Sequence, residues 1–255
     1  MAVIALTSAA GSPGVTTTAL GLSLLWPRPV LLVEADPTGG SGLLAGYFRG
    51  TRQYVGGLIE LALTTSNVHD GLAEVSQRID ETEVSFVAGT RSHAQASALR
   101  DLWQPLAVEL AELESTGQDV IVDAGRLGLV GSPEPLLANA DLTLLLTRTS
   151  LPALSAVRSW AESVQQGTFG WQQAGVVVVG ERQPYGAREV SGVLNLPVTA
   201  TLADDPESAA VFHRGSPLPK RFDTSPLTRS LQAAIAAIHA AVSRHRGELL
   251  EGALP

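Results

Sequence analysis

Ser8-Ala9-Ala10-Gly11-Ser12-Pro13-Gly14-Val15-Thr16-Thr17-Thr18 is the stretch on which the fold of this chain turns. An apolar run, Ala2-Val3-Ile4-Ala5-Leu6, precedes it and has the composition of a buried strand. Ala19-Leu20-Gly21-Leu22-Ser23-Leu24-Leu25 follows and reads as a helix. Strand, glycine-bearing loop and a helix opening on Thr-Thr form the setting in which a loop cradles phosphate. Glycines let successive backbone N–H groups curl around an anion. The helix start adds unpaired N–H donors and the positive end of its dipole. A plain strand-to-helix turn has the same outline, and the rest of the chain has to separate the two.

Working outward, Pro27-Arg28-Pro29 ends the first helix. Val30-Leu31-Leu32-Val33 is a second buried strand that runs into Glu34-Ala35-Asp36-Pro37-Thr38-Gly39-Gly40. Helical segments are expected at Gly57–Leu63 and Gly71–Val75, and a strand at Val84–Gly89. An amphipathic helix is expected from about Ala94 to Leu113, interrupted at Pro105. Asp119-Val120-Ile121-Val122-Asp123-Ala124-Gly125 is a strand that closes on a carboxylate and a glycine, with Arg126 just beyond. Leu142–Thr147, Gly175–Gly180 and Leu196–Leu202 are further strands. A last helix, about Pro226 to Arg244, carries Leu227, Leu231, Ile235 and Ile238 at helical spacing, with proline in its first turn.

Buried strands alternating with helices predict an α/β fold, a doubly wound and mostly parallel sheet with helices on both faces. Ligands in such sheets bind beyond the C-terminal ends of the strands. The loop, Asp36 and Asp123 all fall there. One domain is expected over residues 1–246, with 247–255 as a frayed tail.

Those three landmarks, in this order, resemble the ParA/MinD-like (SIMIBI-class) branch of the P-loop NTPases. The loop aligns with that family's deviant Walker A, K-G-G-x-G-K-T-T, on Gly11, Gly14, Thr16 and Thr17. Glu34 to Gly40 resembles its D-x-D-P-x-G strand end, although Asp-Pro turns also occur at strand ends without a ligand. Asp119 to Gly125 resembles its Walker B strand. The resemblance implies a phosphate cradle of Gly11, Ser12, Gly14, Val15, Thr16 and Thr17. It implies Mg²⁺ held at Thr16 and Asp123, and a water oriented by Asp36. It further implies ATP or ADP as cofactor and a homodimer closed face to face around two nucleotides.

The departures concern charge. The family's signature lysine falls on Ala10 and its P-loop lysine on Val15; Ser12 and Pro13 replace the usual Gly-x pair. Relatives often end the Gly175–Gly180 strand in an asparagine that contacts adenine, and here Gly180 holds that place. Arg126 either restores part of the missing positive charge or is a solvated loop arginine. The expectation is a pseudo-ATPase with a degenerate Walker A that binds ATP or ADP with Mg²⁺ weakly or not at all. It would serve as a positioning or assembly factor, with a protein partner in a partitioning, pilus or secretion system. The spacing also resembles ParA-like proteins of tight-adherence (Flp) pili. The alternative is a working ATPase that uses Arg126 or Arg148 in place of the loop lysines. An amide- or carboxylate-activating ligase on the same fold would need the P-loop lysine.

Composition narrows the classes. The chain has 255 residues, 45% of them hydrophobic and 16% charged, the balance of a globular core. It has no cysteine, which excludes disulfides, thiolate metal sites, cysteine-ligated iron–sulfur clusters and cysteine nucleophiles. No apolar run is long enough for a membrane span, and the first residues lack a signal peptide's basic start, so a cytoplasmic protein is expected. His69, His93, His213, His239 and His245 form no ligand spacing. Lys220 is the single lysine, and the preference for Ala, Gly, Arg, Val and Leu points to a GC-rich bacterial source. Arg214, Lys220, Arg221, Arg229, Arg244 and Arg246 face only Asp223, Glu248 and Glu251 in the last segment. A net charge of −8 nevertheless argues for a protein partner over nonspecific DNA.

Overall fold

The computed structural model describes residues 2–10, 12–65, 67–113 and 117–252. Eight strands form one sheet: β1 (Val3–Ser8), β2 (Val30–Glu34), β3 (Gln77–Arg78), β4 (Val84–Val87), β5 (Asp119–Arg126), β6 (Leu142–Arg148), β7 (Ala174–Val179) and β8 (Val198–Leu202). Their order is β3-β4-β2-β5-β1-β6-β7-β8. All neighbours pair in parallel except β3 with β4. Parallel strands must be covered on both faces, which is why β1, β2 and β6 read as nearly unbroken apolar runs.

Alternate residues of each strand supply two separate cores. Val3 and Ala5 of β1, Leu31 and Val33 of β2, and Val120 and Val122 of β5 join one layer. Ile4 and Leu6, Val30 and Leu32, and Ile121 join the other. The first layer is closed by α2 (Leu58–Leu63), α3 (Val68–Val75), α4 (Trp103–Glu112), α5 (Glu134–Asn139), α6 (Leu151–Gln165) and α7 (Ala187–Leu194). The second is closed by α1 (Val15–Leu25), α8 (Pro206–Arg214) and α9 (Pro226–Gly252). Leu231, Ile235 and Ile238 of α9 are each buried there, worth about 1.5–3 kcal/mol apiece.

Three expectations need adjusting. Pro105 does not interrupt a long helix. A 3₁₀ stretch, His93–Leu99, comes first, and Pro105 is the third residue of α4, where a missing N–H leaves no intrahelical bond unmade. The last helix does not end near Arg244 but continues to Gly252, so residues 247–252 of the expected frayed tail are helical, and 253–255 lie outside the described residues. Nearby, Arg246 ties the helix to the sheet through Asp141, with Nη2 2.7 Å from Oδ1. Among the described residues no helix is long and apolar enough to cross a membrane.

The strand order reverses at β1. From it the chain moves to β2 on one side and β6, β7 and β8 lie on the other. That switch point, at the C-terminal ends of the strands, is where a doubly wound sheet opens a crevice.

Candidate phosphate-binding cleft

The loop after β1 sits at the switch point. Gly14 precedes α1 with φ +96°, and Ser12 holds φ +54°, a left-handed conformation that a serine adopts only at some cost. Among the described residues no side chain caps the helix. The N–H groups of its first turn are therefore left for whatever occupies the crevice.

A cavity of 650 Å³ opens in front of this turn, within the size range of small-molecule sites. Ser12, Gly14, Val15, Thr16, Thr17, Asp36 and Arg126 all line it, so seven of the nine residues expected from the sequence converge. Gly11 lies outside the described residues. Asp123 stands just behind the wall, buried, with its carboxylate bonded to the Thr16 side chain and accepting the Gly125 N–H at 3.0 Å. Burial pushes the Asp123 carboxyl up to about 7; the Asp36 and Glu34 charges push the same way, and the bonds from Thr16 and Gly125 oppose them.

Asp36 is half-buried, and its Oδ1 accepts from both the backbone N–H and the hydroxyl of Thr38 at 2.8 Å. Glu34, the other acidic residue of the β2 end, has a different task. Its carboxylate accepts from the Ser41 hydroxyl, from Leu43 N–H at 2.9 Å and from Gly89 N–H at 3.4 Å. It staples the segment after β2 to the sheet. Burial raises its carboxyl pKa, and these bonds work against the rise.

The charges at the lysine positions are absent in space as well as in sequence. Val15 turns its side chain into the second core, and Ala10 is half-buried. Two arginines reach the cavity. Arg126, at the end of β5, is exposed and makes no ion pair among the described residues. Arg148, at the end of β6, is already committed, with Nη1 2.9 Å from Asp204 Oδ2 and Nη2 3.4 Å from Oδ1. The sequence offered no sign that these two residues pair. Beyond Arg148 the wall is mixed, with Val179, Leu202, Ala203, Pro206, Ala209 and Leu227 beside Asp204, Asp205 and His213.

No family model matches the chain, and no curated protein matches it either. Solved structures do. MinD cell division protein from Aquifex aeolicus superposes with TM-score 0.74 at 13% identity, over 94% of this chain and 98% of that one. The septum site-determining protein MinD of Pyrococcus horikoshii, complexed with Mg-ADP, gives 0.73 at 15% identity, over 96% and 98%. A ParA family ATPase from Chlorobium tepidum gives 0.69 at 15% identity, over 94% and 98%. The fold is that of the MinD and ParA ATPases.

On this MinD/ParA fold the cleft has one end of backbone donors and another of mixed apolar and charged side chains. The residues present fit a nucleotide in part. The helix start and the uncapped loop suit phosphate, and Thr16 with Asp123 would hold a magnesium ion whose remaining ligands are phosphate oxygens and water. Among the described residues no three His, Asp or Glu side chains converge as a metal set of their own. What the loop lacks is a cation to offset the charge of a triphosphate.

Proposed function

We propose that this protein is a ParA/MinD-like positioning or assembly factor with a degenerate nucleotide site, a pseudo-ATPase. The observation that carries the proposal is Val15, whose side chain lies in the core at the P-loop lysine's position. A charge-assisted hydrogen bond contributes about 1.5–3 kcal/mol, so its loss weakens ATP binding by about one to two decades. The uncapped start of α1 still holds phosphate, and Thr16 and Asp123 still offer a place for Mg²⁺. ATP or ADP with Mg²⁺ is therefore a weak ligand, and its turnover is not what the protein uses.

In this role the protein is cytoplasmic and a constitutive homodimer. Its partner is a protein component of a partitioning, pilus or secretion assembly. A machine component that recognises a MinD-like shape needs the fold and its surface, not the chemistry in the cleft.

A second reading has one observation in its favour. Arg126 lines the cleft without a carboxylate partner among the described residues, and a single positioned arginine can contribute about 10³ to 10⁵ in rate to phosphoryl transfer. In that reading the protein is a rewired ATPase. Calorimetric titration with ATP and Mg²⁺ separates the two. Weak binding, unchanged by Arg126→Ala, supports the degenerate site; sub-micromolar binding lost in Arg126→Ala supports the rewired enzyme.

A further inference from the structure

We infer that the outer side of the first layer carries a site for an arginine side chain of a protein partner, built from Trp160, Phe169, Trp171 and Glu134. The site shares no lining residue with the cleft, and the inference takes from the reading above only that the partner is a protein.

Trp160 belongs to α6, and Phe169 and Trp171 to the segment between α6 and β7. Phe169 bridges the two tryptophans. Its ring centroid lies 5.5 Å from that of Trp160 and 5.8 Å from that of Trp171, with interplanar angles of 31° and 34°. Both tryptophans pack against the first core, whereas Phe169 belongs to neither core. Core burial therefore does not account for Phe169. Its backbone is nevertheless shaped to hold it: Gly167 and Gly170 on either side have φ +69° and +65°, and Thr168 N–H donates to the Ser163 carbonyl at 3.0 Å.

The three rings line a cavity of 120 Å³, together with the buried Leu127 and Leu137. That is about four waters' share of liquid volume, room for the four heavy atoms of a guanidinium. Glu134 is the one charged residue that lines it, exposed and without an ion pair among the described residues. Ser132 spends its hydroxyl hydrogen on the Leu129 carbonyl at 2.7 Å and keeps an acceptor. Arg158, two residues before Trp160 and so nearly opposite it on the helix, lines the groove between α6 and α7 instead.

Aromatic faces are negative and attract a cation. A carboxylate beside them selects a cation that also donates hydrogen bonds. Guanidinium is flat and weakly hydrated, stacks on rings, and turns N–H groups from its edge toward a carboxylate. A lysine ammonium is more strongly hydrated and costs more to bring among rings. A quaternary ammonium has no N–H for Glu134.

NMR of the full chain tests this, because its four tryptophans give four indole N–H signals. Titration with a capped Gly-Arg-Gly peptide should move the signals of Trp160 and Trp171, saturating in the millimolar range. The signals of Trp26 and Trp103, both buried elsewhere, should stay in place. Peptides with citrulline, lysine or trimethyllysine in place of arginine should bind more weakly. Glu134→Gln should weaken arginine binding by about three- to tenfold, the scale of an exposed to partly buried ion pair. Phe169→Ala should abolish it, with the Trp26 and Trp103 signals reporting an intact fold. Absence of a shift with the arginine peptide at tens of millimolar overturns the inference. So does equal binding of any of the three replacement peptides, or wild-type affinity in Glu134→Gln or Phe169→Ala. The assembly-factor reading, which is tested in the cleft, stands in each of these cases.

Discussion

A Cβ placed on Gly125 would fall 2.2 Å from the carboxyl carbon of Asp36. The two residues belong to different strand ends, β5 and just beyond β2, which are neighbours in the sheet. Glycine at 125 is thus what lets the Asp36 carboxylate sit beside the loop. Gly125 also has φ +60°, where an L-residue costs roughly 1–2 kcal/mol. Gly125→Ala should lower stability by more than that backbone term, because Asp36 must also move. A denaturation midpoint unchanged from wild type would show that the contact is not as close as described.

The opposite end of the sheet is held by Asp119. Its fully buried carboxylate accepts from Ala2 N–H at 2.6 Å and Trp26 Nε1–H at 2.7 Å, and pairs with Arg28 Nη2 at 2.7 Å. Removing one partner of a buried pair costs about 3–5 kcal/mol, less here because Arg28 is partly exposed. Asp119→Asn should lower the melting temperature by several degrees without altering the cleft. Equal stability of wild type and variant would contradict this account of the anchor.

His239 sets an acid limit on α9. Its ring lies 4.7 Å from that of Trp26, and its Nε2 is buried without a hydrogen-bond partner among the described residues. Burial lowers its pKa; Asp119 pulls the other way and Arg28 adds to the lowering. Below about pH 6.5 the unfolded chain therefore takes up a proton that the folded chain refuses, and stability falls as pH drops toward the lowered folded value. His239→Phe keeps an aromatic ring on Trp26 and cannot titrate. Urea unfolding should show the variant gaining on wild type as pH falls through this window. Parallel losses in both proteins would remove His239 from the explanation.

Association should not depend on ATP. With Ala10 where the resemblance sets the family's signature lysine, this loop offers no side-chain charge there to a nucleotide across a dimer. Sedimentation velocity with and without ATP and Mg²⁺ should give the same species. A monomer that becomes a dimer only on adding ATP would show that another residue has taken over the bridge.

Much of this was legible in the sequence because parallel strands buried on both faces leave apolar runs of recognisable length. β1, β2, β5 and β6 read that way, and Asp36 could be placed just past a strand end before its position in space was known; β5 runs on past Asp123 to Arg126 instead of closing on that carboxylate. β3 was not legible. It has two residues at a sheet edge, Gln77 and Arg78, too few to carry a period. The helix boundary near Pro105 was misplaced because proline inside an apolar pattern signals a break in general but is tolerated in a first turn. Glu34 stands at the first acidic position of the strand end that resembles D-x-D-P-x-G. Its role as a staple depends on Ser41, Leu43 and Gly89, and only the last of these is far away in the chain. The Arg148–Asp204 pair joins residues 56 apart, which no local pattern reports.

The central claim is that the cleft keeps the shape of an ATPase site without its chemistry. Phosphoryl transfer requires positive charge on the transferring oxygens, and the loop supplies none from a side chain at Ala10 or Val15. Asp36 and Asp123 would instead set carboxyl groups beside a triphosphate. The decisive measurement is Mg²⁺-dependent release of phosphate from ATP by the purified protein, compared with Arg126→Ala. The account predicts no release above background from either. Turnover by wild type that Arg126→Ala abolishes would contradict it and make this a rewired ATPase.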